Sequence, residues 1–170
     1  MPEASGFSRR SVLLIEGNLL RVGPGGGEPF QKGGRMSARK TALLVMAKMA
    51  LADGHVASQE KDLLRPLLDD PDSLDELFRE AETAPLDGLL TQVDRYADRF
   101  FIALRAASMA QIDGHLAASE QAFYDSLLEQ LKLRAEDVKL IETSLEQMDS
   151  LEPVEPDPRI GELFEQSSFC

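Results

Sequence analysis

The chain has no tryptophan, two histidines, two tyrosines and a single cysteine among 170 residues. One cysteine, Cys170, excludes both an intramolecular disulfide framework and a cysteine-built zinc site. Strand-forming residues are sparse, whereas alanine, leucine, glutamate and methionine abound. That balance favours an all-α class. No apolar run approaches the roughly 20 residues needed to span a bilayer, so no direct membrane insertion is expected. Positive charge is also scarce: 18 basic against 30 acidic residues give a net charge of −12. Such a chain is a poor candidate for nucleic acid or anionic membrane surfaces, because both repel it. It suits cations or basic partners, although an acidic, well-solvated surface can equally serve solubility alone.

What is present divides into three. Residues 1–35 carry a net +2 and hold Gly23-Pro24-Gly25-Gly26-Gly27 and Gly33-Gly34, which neither nucleate a helix nor build a core. A disordered extension is expected there. Met36-Ser37-Ala38 opens the helical part like a natural start, which makes the upstream stretch a candidate mis-called start. Arg9-Arg10 followed by Val12-Leu13-Leu14 has the outline of a twin-arginine signal. Glu16 and Asn18 interrupt it and no small-residue cleavage site follows, so a cytoplasmic protein is expected. Residues 36–148 carry −9 and read as the helical domain; residues 149–170 carry −5 and open with an acidic, proline-rich run. Within that tail a short helix over Ile160–Glu165 is expected, with Phe164 and Phe169 as anchors.

The domain is organised around a repeat. Asp53-Gly54-His55-Val56-Ala57-Ser58-Gln59-Glu60 recurs at a constant offset as Asp113-Gly114-His115-Leu116-Ala117-Ala118-Ser119-Glu120. Ala47, Met49 and Ala50 recur as Ala107, Met109 and Ala110, and Leu67-Leu68 as Leu127-Leu128. Each copy reads as a helix, a turn and a helix. The first helix spans Ala38–Ala52, with Leu43, Met46, Ala47, Ala50 and Leu51 on its apolar stripe. Ser58 is the expected cap of the next, which reaches Leu68 with Pro66 set to kink or shorten it. Ser73-Leu74-Asp75-Glu76 reads as a capping box, and Pro85 opens a short helix to Val93. Asp94 is the expected cap of the longest helix, Arg95–Ile112, placed centrally because Ala103, Ala106, Ala107 and Ala110 permit close approach. A last helix is expected over Ala135–Met148. The sum is about seven helices in a compact bundle with an internal pseudo-twofold.

Asp-Gly-x-aliphatic-x-x-x-Glu is the second half of a calcium-binding loop. The first half fails, since its ligand positions would fall on Met49 and Leu51, or on Met109 and Gln111. Two independent calcium loops are therefore excluded. A single shared site remains open, in which Asp53, Glu60, Asp113 and Glu120 converge, joined by His55 and His115. Four carboxylates would suit calcium, magnesium or manganese, and the two imidazoles would tilt the site toward manganese, iron or zinc. The same residues also admit an architectural reading. Asp-Gly stops a helix, and a glutamate in a first helical turn favours the helix dipole by roughly 0.3–1 kcal/mol. No nucleophile constellation, phosphate-binding glycine loop or Glu-x-x-His motif points to an enzyme.

At Met49-Ala50-Leu51-Ala52-Asp53-Gly54-His55-Val56 with Glu60, and at Ala110-Gln111-Ile112-Asp113-Gly114-His115-Leu116 with Glu120, the chain resembles the TerB-like family. That family includes tellurite-resistance proteins and resembles the membrane-side N-terminal domain of a DnaJ-type co-chaperone. The resemblance covers roughly residues 38–148. It implies a helical bundle of about seven helices, divalent-metal binding through Asp53, Glu60, Asp113 and Glu120, and a non-catalytic role in stress-response or membrane-associated protein assemblies. Ala57 and Ala117 depart from the pattern, which often has a helix-capping Ser or Asp there. The competing reading is a protein–protein interaction module with no metal site, docking basic partners.

Overall fold

The structure is a computed structural model and describes residues 36–112, 117–148 and 155–169. Among these residues there are eight α-helices and no strand. The first is α1, Ala38–Ala50. Ser37 caps it, its hydroxyl accepting from the Lys40 amide at 3.2 Å. The sequence pattern predicts one apolar stripe, but Thr41 through Ala47, with Met49 and Ala50, are all buried. Leu44 and Val45 lie off the expected stripe and are buried as completely as Met46. A helix apolar around its circumference belongs inside, not on the surface.

α1 ends two residues short of the expected Ala52, and Gly54 takes the turn at φ 79°. That left-handed conformation is strained for side chains with a Cβ. α2 follows over Ser58–Leu64, and a 3-10 turn over Arg65–Leu67 takes its place thereafter. Pro66 is the reason: it has no amide hydrogen to give and its ring collides with the preceding helical turn. A second 3-10 turn, Pro71–Ser73, leads into α3, Leu74–Thr83. The expected capping box at Ser73 does not form. Ser73 Oγ donates instead to the Asp70 carbonyl at 2.6 Å, and Asp70 Oδ1 accepts from the Asp72 amide at 3.0 Å. Asp70, not Ser73, caps this entry.

α3 buries Leu74, Leu77 and Ala81 against α1, and the Lys40–Glu80 ion pair, 2.6 Å long, bridges the two helices at their half-exposed edge. α4, Leu86–Leu90, is shorter than expected. α5, Tyr96–Ala110, is the longest. Its N-cap position is held by Arg95 and not by Asp94. α5 packs along α1, and the two make the centre of the bundle. Phe100, Phe101, Ile102 and Ala103 are shut off from solvent completely. The alanines Ala103, Ala106, Ala107 and Ala110 let the backbones approach.

α6, Ala118–Leu131, lies against α5, α1 and α4. It ends on Lys132 in the left-handed region at φ 52°, a helix stop made without glycine. α7, Ala135–Met148, and α8, Pro158–Gln166, both pack on α5. α8 extends past both ends of the expected Ile160–Glu165. The helices that follow the two copies of the repeat are unequal in length, seven residues in α2 and fourteen in α6.

Candidate functional site

The first turn is built from short-range bonds. Asp53 Oδ1 accepts from the His55 amide at 2.7 Å, closing the loop over Gly54. Asp53, Gly54 and His55 are exposed. Three residues further on the situation reverses, for Glu60 is only 4% exposed although charged. Its Oε2 accepts from the Ala57 amide at 2.6 Å, an unpaired donor at the start of α2. Ser58 was the expected cap, but Ala57 holds the N-cap position, with φ −69° and ψ 154°. The Ser58 hydroxyl turns instead to the Gln59 side chain.

The second helix entry repeats this geometry. Ala117 is the N-cap of α6 with φ −67° and ψ 151°, and Glu120 Oε2 accepts from its amide at 2.7 Å. Glu120 is 5% exposed. Each alanine lacks the oxygen that would complete a capping box, so each entry rests on its glutamate alone. A carboxylate accepting from an amide at a helix N-terminus gains twice, from a charge-assisted bond and from the helix dipole.

Met49 and Met109 are buried in the core, in line with the failure of the first half of a calcium loop. Among the described residues no three His, Cys, Asp or Glu side chains gather into a group able to hold a metal ion. Asp53, His55, Glu60 and Glu120 therefore do not make one by themselves. Asp113, Gly114, His115 and Leu116 lie outside the described residues, as do the glycine-rich stretch 1–35 and residues 149–154 of the proline-rich run.

A second pair of buried carboxylates lies elsewhere. Asp137, on α7, accepts from the Tyr96 hydroxyl at 2.5 Å and from Arg159 Nε at 3.3 Å. Tyr96 in turn accepts from the Arg134 amide at 3.0 Å, and the Arg134 guanidinium sits 5.3 Å from the Tyr96 ring centre. Burial pushes the Asp137 carboxyl up, but the bonds from Tyr96 and Arg159 and the charges of Arg159 and Arg134 outweigh it. The group is held below its ordinary value. Asp98, on α5, accepts from both the amide and the hydroxyl of Ser168, at 2.6 and 2.7 Å. Between these two points Leu163 is fully buried, and Phe101 meets Phe164 and Phe169 edge to face, with ring centres 5.8 and 6.1 Å apart.

Motif reading missed Asp98, Asp137, Tyr96, Arg159 and Ser168. A signal for the two aspartates was present. Asp98 shares a helical face with Phe101, and Asp137 with Ile141, Ser144 and Leu145, so each carboxylate falls in an apolar register. No protein-family model matches the chain, and no curated protein and no solved structure matches it either.

Proposed function

We propose that this chain is a non-catalytic helical module that works by docking protein partners, and that the repeated turns are its architecture. One observation carries the reading: Glu60 and Glu120, the most motif-like residues of the repeat, each bind the N-cap amide of their own helix. A glutamate so placed explains the spacing of the motif without a ligand, because only the residue three positions into a helix reaches back to the N-cap amide. The acidic surface of residues 36–148 supports partners of basic character, with association that weakens as salt rises. The TerB-like resemblance adds an expected setting in stress-response or membrane-associated assemblies, and a pseudo-twofold kinship of the two helix pairs.

A second reading has one observation in its favour. Helix capping explains the glutamates but not why Asp53 and His55, both exposed, recur as Asp113 and His115. In that reading Asp53, His55, Glu60, Asp113, His115 and Glu120 hold one divalent ion, calcium, magnesium or manganese. A thermal-shift series on the chelator-stripped full chain separates the two. An interaction module is indifferent to all three ions. An ion at about a hundred times its Kd would instead add near 2.7 kcal/mol, and that gain would vanish in Asp53→Asn/Asp113→Asn. This second outcome would replace the docking proposal with a metal site.

A further inference from the structure

The pair Asp-Gly occurs at two places among the described residues, and the fold treats them differently. Asp53-Gly54 stands in the turn between α1 and α2, whereas Asp87-Gly88 lies inside α4. A third pair, Asp113-Gly114, falls outside the described residues. At Asp-Gly a main chain rearranges by itself most readily, because glycine has no Cβ to obstruct attack by its own nitrogen on the aspartate side chain. That reaction needs no catalyst, metal or partner.

Asp53, Gly54 and His55 are all exposed, and a Cβ built on Gly54 would meet nothing within 4 Å. The bond from the His55 amide folds the Asp53 carboxyl over the Gly54 peptide instead of out into solvent. One bond restrains the attacking nitrogen: the Gly54 amide donates to the Leu51 carbonyl at 3.0 Å. The Asp87 carboxyl is exposed too, but its peptide is tied down. The Asp87 carbonyl accepts from the Thr91 amide at 3.0 Å. The Gly88 carbonyl accepts from the Thr91 hydroxyl at 3.0 Å and from the Gln92 side-chain amide at 3.4 Å. A Cβ on Gly88 would sit 3.1 Å from Pro85 Cγ, so the surroundings are crowded. Ring closure requires the aspartate ψ to leave its helical value. At Asp87 that breaks α4 and draws the buried Leu89 and Leu90 from the core. At Asp53 it opens one exposed turn.

We propose that Asp53 is a site of spontaneous isoaspartate formation and that α4 protects Asp87 from the same change. The Gly54 nitrogen bonds to Asp53 Cγ, and the amide hydrogen leaves with the carboxyl hydroxyl as water, giving a cyclic imide. Water then adds to the imide carbonyl that came from the Asp53 main chain and breaks its bond to the Gly54 nitrogen. The product has the same atoms as before. Its chain now runs through the side-chain carbon, one methylene longer between α1 and α2, and the Asp53 carboxylate no longer closes the turn on the His55 amide. The modification depends on the exposed turn alone and does not rest on the docking reading.

The test ages the full folded chain in mildly acidic buffer, where a protonated carboxyl can shed its hydroxyl. Chelator is present throughout, so that the metal reading has no bearing on the outcome. Tryptic peptides 49–61 and 80–95 are followed by chromatography and mass spectrometry, with fragmentation to place each isomer. Asp53 is the sole aspartate of the first peptide. An isomer of unchanged mass should accumulate at Asp53 at least about tenfold faster than at Asp87, since opening α4 costs more than opening an exposed turn. In urea the two rates should converge. Asp53→Glu, whose longer side chain does not close the same ring, should yield no isomer of peptide 49–61. Equal rates in the folded chain overturn the proposal. So does an isomer at Asp53 that forms only in urea, because the turn would then be protective. A tenfold difference that persists in urea overturns it as well, by assigning the preference to neighbouring residues and not to the fold. An isomer that survives in Asp53→Glu would place the change at another residue and overturn the assignment.

Discussion

Two pairs of buried carboxylates hold this bundle together, and they do so on different scales. Glu60 and Glu120 bind amides three residues away, at the start of their own helices. Asp98 and Asp137 bind groups 70, 41 and 22 residues distant. All four are 5% exposed or less, so burial alone does not separate them. The difference lies in what each removal leaves behind. Loss of a capping glutamate gives up the bond to the amide of a half-buried alanine within its own helix entry. Loss of Asp98 unties Ser168 from α5, and loss of Asp137 unties Arg159 and Tyr96 from α7, so each releases a segment distant in the chain. Equal burial therefore does not mean equal structural weight.

The largest effect should come from the floor shared by α5 and α8. Phe101→Ala is expected to destabilise by about 3–5 kcal/mol, the range for removing a buried aromatic ring. Chemical denaturation should show it, with Phe164 and Phe169 losing their ring contacts at the same time. A loss comparable to that of a capping glutamate would mean that α8 settles over the gap and that the long-range pair is no stronger a tie than the local one.

Next come Asp98→Ala and Asp137→Ala, each expected to destabilise by about 1.5–3 kcal/mol through the loss of hydrogen bonds to a charged group. Asp137 has a pH signature as well. Its folded carboxyl is depressed below the ordinary 3.8, so its contribution is complete above that value and is lost as pH falls through the folded one. The stability gap between wild type and Asp137→Asn should stay constant from neutral pH to about 4 and narrow below it. Tyr96 behaves oppositely. Burial and the Asp137 bond raise its hydroxyl above 10.0, so its contribution is intact below that value and fades as pH rises through the folded one.

Smaller still, Glu60→Ala and Glu120→Ala should each destabilise by about 0.5–1 kcal/mol. Their effects should add, since each glutamate binds the N-cap amide of a different helix. A coupling above about 0.5 kcal/mol in a double-mutant cycle, appearing only with a divalent ion present, would mean that the glutamates meet at one site. A change of the same size and opposite sign sharpens the comparison from the other side. Ala57→Ser and Ala117→Ser would complete each capping box at an N-cap already in extended geometry, and should raise stability by about 0.5–1 kcal/mol apiece in a thermal melt.

Much of the local structure was legible in the order of residues. The all-α class, the turn at Gly54, the proline break at Pro66 and the span of α7 all follow from properties of neighbouring residues. The helix near Ile160–Glu165 was legible, and Phe164 and Phe169 do meet Phe101, but its one fully buried side chain, Leu163, was not among the expected anchors. Where local reading missed, a nearby competitor had prevailed. Ser73 and Ser58 are good caps by composition, but Asp70 and Glu60 reach the first amides of those entries. The single stripe on α1 was too narrow, because a stripe describes a helix with one packed face and α1 has neighbours on several sides.

The sequence by itself determined where helices start and stop, since capping, glycine turns and proline breaks act over three or four residues. Only the tertiary structure decided which carboxylates became ties between distant segments. Asp98 and Asp137 look like ordinary acidic residues among thirty until α8 lies across α5 and brings Ser168 and Arg159 to them. The physical reason is range: a cap needs one turn of backbone to exist, whereas a buried carboxylate paired across 70 residues needs the whole bundle in place first.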